Sequence, residues 1–163
     1  MATIWISLGS NIEPERHLRN ALGCMQHHFY DLALSPVYET EAVGFEGDPF
    51  LNLVARCRTT LDPVAVAEEL KAIEDRNERL RTGPKFSART LDLDLLLYDD
   101  QVLDSPQIPR DEILRYAFVL RPLADLDPEL HHPLTGRSMA EHWAEFDASD
   151  QPMRPVDLDL LQD

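Results

Sequence analysis

The sequence predicts one α+β domain in which helices pack on a mainly antiparallel sheet. Three observations predict it. Runs with strand-like alternation and segments of helical periodicity follow one another as strand, helix, strand, strand, helix, strand. The 163 residues, 44% of them hydrophobic, are enough for one core and too few for two. The 12 prolines are spread through the chain, as expected of ordered loops between short elements rather than of a low-complexity tract.

Taken in order, residues 3–8, TIWISL, alternate as a strand, and GSN follows, with Asn11 placed to cap a helix that begins near Pro14. Leu18, Leu22 and Met25 recur at helical spacing and give that helix one apolar face. LALSPVYET is the second strand, with Pro36 suited to an edge or a bulge, and FLNLVARCRTT is the third. Between them EAVGFEGDP has the composition of a loop. Asp62 and Pro63 supply an N-cap and first-turn residue for a long helix whose core face runs through Val66, Leu70, Ile73 and Asn77. RTGPKFSA is a loop, and RTLDLDLLLY is the fourth strand, ended by YDDQ. An extended piece over residues 101–109, a short helix near residues 111–115 and a helix near residues 138–146 complete the pattern. The order is that of a ferredoxin-like βαββαβ core, with helices expected on one face of the sheet. Residues 1–147 are read as the domain and residues 148–163 as a C-terminal tail.

A formal net charge of −15, from 30 acidic and 15 basic residues, argues against a nucleic-acid partner. No apolar run approaches the length of a membrane span, and MATIWISLGSN lacks the pattern of a secretory leader, so a cytoplasmic protein with no membrane partner is expected. Cys24 and Cys57 have no CxxC spacing and read as two buried thiols. A monomer is expected.

Two aspartates interrupt the leucines of the fourth strand. Strand alternation points Leu91, Leu93, Leu95 and Leu97 one way, and Asp92, Asp94, Leu96 and Tyr98 the other. Residues two apart on a strand lie roughly 6.5–7 Å apart, so both carboxylates can reach the same metal ions. An acidic solvent face is the other reading of the pair alone. The surrounding charge bears on the choice: Arg76, Arg79, Arg81, Lys85 and Arg89 place five of the 15 basic residues just before the pair. Cations at a helix C-terminus account for Arg76 and Arg79, but not for Lys85 and Arg89 beside Gly83 and Pro84. Guanidinium groups next to carboxylates suited to Mg²⁺ are what phosphoryl-type transfer requires. DLDLL recurs at residues 157–161 without a neighbouring arginine loop and reads as a coincidence of the tail.

The segments SLGSN, VYETEAVG, FLNLV, RLRTGPKFSARTLDLDLLLY and FVLRPLADLDPELHHP together resemble the 6-hydroxymethyl-7,8-dihydropterin pyrophosphokinase family of folate biosynthesis, over most of the chain. The resemblance implies transfer of pyrophosphate from ATP to the pterin hydroxymethyl oxygen with release of AMP. It implies two Mg²⁺ ions on Asp92 and Asp94. Arg79, Arg81, Lys85 and Arg89 fall on its basic triphosphate-binding and catalytic positions. Glu74, Arg81, Arg89, Arg110, Arg115 and Tyr116 fall at its ATP site, and Thr40, Val43, Gly44, Phe50, Asn52 and Phe118 at its pterin site, where the two phenylalanines sandwich the heterocycle and Asn52 meets its edge. The loops at residues 41–49 and 82–88 are expected to be mobile and to close over the substrates, excluding water.

The chain departs from the family pattern at four places. Arg110 and Asp111 stand where the family usually has His and an aromatic residue. Tyr116 stands where it often has Arg, with Arg115 alongside; Phe86 stands for Trp, and Glu41 for Pro. Three alternatives stay open: a paralogue that binds a pterin or nucleotide without turnover, a pyrophosphokinase for a related pterin, and a nucleotidyltransferase, in which Gly-Ser and the DxD pair would lie closer in sequence than Gly9 and Asp92 do. His27 with His28 and His131 with His132 read as structural or surface pairs. No Walker-type glycine loop, dinucleotide fingerprint or nucleophile triad is present.

Overall fold

The computed structural model describes residues 1–41, 49–77 and 91–161. Its first strand, β1 (Ala2–Ser10), is central. It pairs antiparallel with β4 (Phe50–Thr59) on one side and β5 (Asp92–Tyr98) on the other. Beyond β4 lie β2 (Tyr30–Leu34) and β3 (Val37–Thr40), and β6 (Met153–Val156) adds to the far edge of β3, giving the order β5-β1-β4-β3-β6 with β2 also on β4. Every pairing is antiparallel. The predicted βαββαβ core is there, with the single second strand of the sequence reading divided in two. Pro36 has no N–H to give to a ladder, and Ser35 spans the break by accepting the Val54 N–H on its Oγ at 2.8 Å.

The helices α1 (Pro14–His28) and α2 (Pro63–Arg76) cover one face. Leu18, Leu22 and Met25 from α1, and Val66, Leu70 and Ile73 from α2, pack on Ile4, Ile6, Leu53, Leu91, Leu93 and Leu95. Asp62 caps α2 as expected, accepting the Ala65 N–H at 2.8 Å, with Pro63 in the first turn. Asn11 does not cap α1. The cap position is Glu13, in the left-handed region at φ 43°, and its side chain makes no capping hydrogen bond.

Helices cover the second face as well, which corrects the one-face expectation. Here α3 (Glu112–Arg115), α4 (Ala117–Leu126) and α5 (Met139–Glu145) join Trp5, Val54, Leu96 and Leu97 in a second core. No element was expected at residues 117–126, where Pro122 withholds one helical N–H; six buried residues hold α4 in place regardless. The α4 C-terminus is tied to the sheet through Asp127, which accepts from Trp5 Nε1 at 2.7 Å and from Arg56 Nη1 at 2.5 Å. Residues 101–109 form a turn closed by the Leu103–Ile108 bridge. Among the described residues no helix is long and apolar enough to cross a membrane.

Candidate active site

The fourth predicted strand is β5, and it lies at the edge of the sheet. Leu91, Leu93 and Leu95 enter the first core, which leaves Asp92 and Asp94 on the opposite face, half-buried. The predicted alternation fails after Leu95. A bulge opposite Trp5 and Ile6 inserts one residue, so Leu97 joins the second core and Tyr98 the first, each on the face opposite to that expected. The aspartates precede the bulge and keep their expected face. Tyr98 then donates to the Leu61 carbonyl at 2.7 Å.

Register sets the floor of the site. Gly9 pairs with Asn52 of β4 on one side and with Asp92 of β5 on the other, so a lateral row runs Tyr38, Asn52, Gly9, Asp92 across four strands. Directly paired residues share a face. Asn52 is 7% exposed and donates its Nδ2 to Thr40 Oγ1 at 2.9 Å. A Cβ on Gly9 would meet Asn52 Oδ1 at 2.9 Å, which is closer than real Cβ contacts come. Glycine is therefore what lets the amide lie over β1 beside the carboxylates. The sequence reading singled out GSN without giving Gly9 this role; its signal was a glycine at the end of an otherwise apolar strand.

The outer edge of β5 is braced at two points. The Leu93 N–H, between the two aspartates, donates to Glu74 Oε2 at 2.8 Å, and Glu74 is 5% exposed. The Arg110 N–H donates to the Leu96 carbonyl at 3.1 Å. The Arg110 side chain grips Glu112, Nε to Oε2 at 2.7 Å and Nη2 to Oε1 at 3.3 Å, and its Nη2 lies 3.7 Å from Asp94 Oδ1. Burial, then the Asp92 charge, push the Asp94 carboxyl up to about 7, against the pull of Arg110. Two carboxylates so placed suit a divalent cation.

Other predicted residues gather at the same end of the same face. Thr40 closes β3 and pairs with Phe50, which opens β4. Phe118 packs on the second core and stacks on Tyr116 with centroids 5.1 Å apart. Arg115 is exposed at the end of α3, and Gln151 brackets its neighbourhood, donating to the Arg115 carbonyl at 3.2 Å and accepting from the Ala117 N–H at 2.8 Å. The predicted residues Val43, Gly44, Arg79, Arg81, Lys85 and Arg89, and the loops expected to close, lie outside the described residues. The chain leaves α2 toward that basic segment at Asn77, whose Oδ1 lies 3.1 Å from Nδ1 of the buried His17.

The histidine pairs are placed away from this row. His28 meets Glu69 of α2 at 3.1 Å, and the buried His132 accepts the Leu134 N–H at 3.2 Å. Among the described residues no group of three or more His, Cys, Asp or Glu side chains forms a self-sufficient metal cage. The donor set fits Mg²⁺, which takes one or two carboxylates and fills the rest of its octahedron with phosphate oxygens and water.

The family model for 7,8-dihydro-6-hydroxymethylpterin-pyrophosphokinase matches residues 5–128, which include the row from Tyr38 to Asp92, Asp94 and Arg110. The chain belongs to this family. A 2-amino-4-hydroxy-6-hydroxymethyldihydropteridine pyrophosphokinase of Pseudomonas aeruginosa is 38% identical over 144 residues, covering 85% of this chain and 88% of that protein. The enzyme of the same name from Bacillus subtilis is 34% identical over 140 residues, 80% of this chain and 81% of that one. Among solved structures, an HPPK-DHPS protein in complex with substrates superposes with a TM-score of 0.72 over 91% of this chain at 14% identity. The wild-type Plasmodium falciparum HPPK-DHPS with pterin and p-hydroxybenzoate gives 0.73 over 88%, also at 14% identity. This chain spans 44% and 41% of those two proteins, and the likeness to them is one of fold. As a member of the pyrophosphokinase family the chain is an enzyme of the transferase class.

Proposed function

We propose that the chain transfers the β,γ-pyrophosphoryl group of ATP to the hydroxymethyl oxygen of 6-hydroxymethyl-7,8-dihydropterin, with Mg²⁺, as a step of folate biosynthesis. The observation that carries this reading is the row Asn52, Gly9, Asp92, which sets an amide fit for a heterocycle edge next to a carboxylate pair fit for a metal. Family membership and the printed names of the relatives support the substrates.

In the proposed step the hydroxymethyl oxygen forms a bond to the β-phosphorus. The bond from that phosphorus to the oxygen shared with the α-phosphate breaks. AMP leaves with that oxygen, and the hydroxyl proton passes to solvent. Two Mg²⁺ ions, when bound, would neutralise phosphate charge and favour displacement at the β-phosphorus. Asp92 and Asp94 would hold them, and Glu74 keeps the strand between those two carboxylates in register. Asn52, with Thr40, Val43 and Gly44, orients the pterin edge, while Phe50 and Phe118 take its faces. Arg79, Arg81, Lys85 and Arg89 bind and balance triphosphate charge, and Arg110, Arg115 and Tyr116 complete the ATP site. Alignment and charge stabilisation supply the rate, without a dedicated general base.

The deciding test is AMP formation by the purified chain with ATP, Mg²⁺ and 6-hydroxymethyl-7,8-dihydropterin. AMP that needs both pterin and metal is expected. Asp92→Ala and Asp94→Ala should each lower turnover about 100-fold or more while remaining folded, since each removes metal coordination from the transition state. Near-normal turnover in either would overturn the metal assignment. The Arg110 contact with Asp94 favours one second reading, binding without turnover. Calorimetric binding of pterin and ATP with no AMP would establish it.

A further inference from the structure

Arg110 is held in place from two directions. Its backbone N–H is fixed to the Leu96 carbonyl of β5 at 3.1 Å, and its guanidinium is held by both oxygens of Glu112 at 2.7 and 3.3 Å. A planar fork gripped along one edge keeps its remaining N–H groups aimed, and here Nη2 lies 3.7 Å from Asp94 Oδ1. That separation is too long for a hydrogen bond and short enough for a strong charge interaction between partly buried groups. The side chains of Arg110 and Asp94 are 32% and 33% exposed, so solvent screens the pair only in part. Glu112 holds the guanidinium in place, and its own charge offsets that of Arg110 at Asp94 only in part.

We propose, resting on the metal reading of Asp92 and Asp94, that Arg110 is a resident counter-ion that competes with the divalent cation for Asp94 until nucleotide phosphates draw its guanidinium away. A divalent ion arriving alone meets a site already part-neutralised by a fixed positive charge. Phosphate oxygens arriving with the metal offer Arg110 a better bidentate partner and turn a repulsion into an attraction. The consequence is coupling: nucleotide strengthens metal binding, and metal strengthens nucleotide binding by the same factor. The cation then enters with ATP rather than before it. Arg110 acts here as a positioning residue, setting which ion state Asp94 presents.

The test is Mn²⁺ binding to the full chain, followed by electron paramagnetic resonance, without nucleotide and with the α,β-methylene analogue of ATP. Removing a unit charge about 4 Å from a ligand at an effective dielectric between water and protein is worth about tenfold in affinity. Arg110→Gln should therefore bind Mn²⁺ alone about tenfold more tightly than wild type, and the gain on adding the analogue should shrink by a similar factor. Arg110→Lys, which keeps the charge, should stay within about threefold of wild type without nucleotide. The proposal is overturned if Arg110→Gln leaves nucleotide-free Mn²⁺ affinity unchanged or weaker. It is equally overturned if Arg110→Lys tightens binding as much as Gln does, because space rather than charge would then be the cause. If wild type binds no Mn²⁺ even with the analogue, the metal reading itself fails and the counter-ion role fails with it.

Discussion

Asp94 shows how much one carboxylate costs the fold that carries it. Burial and the neighbouring Asp92 push its carboxyl from 3.8 to about 7, so the folded chain holds that proton more firmly than the unfolded chain does. The sign follows: the contribution to stability is present below pH 4 and is lost as pH rises through about 7 in the metal-free protein. Asp94→Asn cannot ionise and escapes this loss. With chelator at pH 8 it should melt roughly 2–4 °C above wild type, a discounted figure because the side chain is one-third exposed, and the gap should close toward pH 4. Mg²⁺ with ATP should raise the wild-type melting temperature at pH 8 by more than that of the variant, because metal binding needs the ionised carboxylate. Calorimetric scans with and without metal check both halves; equal metal-free melting temperatures at pH 8 would remove the electrostatic cost from the account.

At the scale of the element, β5 is an edge strand whose outer N–H groups would otherwise face solvent or another chain. Glu74 of α2 takes the Leu93 N–H and so locks the register of both aspartates. Glu74→Ala should destabilise by about 1–3 kcal/mol in urea unfolding, the cost of leaving that buried donor unpaired. Glu74→Gln keeps an acceptor and should lie nearer to wild type. A Gln variant as unstable as Ala would mean that charge, not the hydrogen bond, holds the strand. The elements differ in how far their sequence revealed them. Asp62-Pro63 announced α2 because a cap and a first-turn proline are local signals. The face of Asp92 and Asp94 was legible from alternation, which needs only neighbours. The exchange of Leu97 and Tyr98 was not, since a bulge is created by the partner strand and a run of leucines carries no mark of it. Nor was α4, where Pro122 argues locally against a helix that tertiary burial sustains. Arg110 was readable as a departure from the family, while its grip on Glu112 two residues on depended on the turn that folds the two side chains together.

Across the whole molecule, the segment read from sequence as a tail touches residues proposed for both substrates. β6 pairs with β3, setting Met153 opposite Thr40 and Arg154 opposite Glu39, with an Arg154–Glu39 ion pair at 2.9 Å. Gln151 clamps the backbone from Arg115 to Ala117, where α3 gives way to α4 and Tyr116 meets Phe118. Leu160 is 4% exposed and belongs to the first core, so the second DLDLL ends in core packing rather than in a strand. Removing residues 148–163 would therefore act at three distances at once. The loss of one buried leucine costs about 1.5–3 kcal/mol, and each ladder hydrogen bond about 0.5–1.5 kcal/mol. For a domain of this size the melting temperature should fall by at least about 5 °C. Stability alone does not separate a structural tail from one that shapes the site, so substrate dependence has to be measured with it. If Thr40 and the residue 115–117 junction are held from the C-terminal segment, truncation should raise KM for pterin and for ATP at a temperature where the chain is still folded. Gln151→Ala in the full chain should raise KM for ATP and, through Tyr116 and Phe118, KM for pterin, while leaving β6 on β3. A truncated chain with unchanged melting temperature and unchanged KM values would establish residues 1–147 as self-sufficient and reduce these contacts to surface packing.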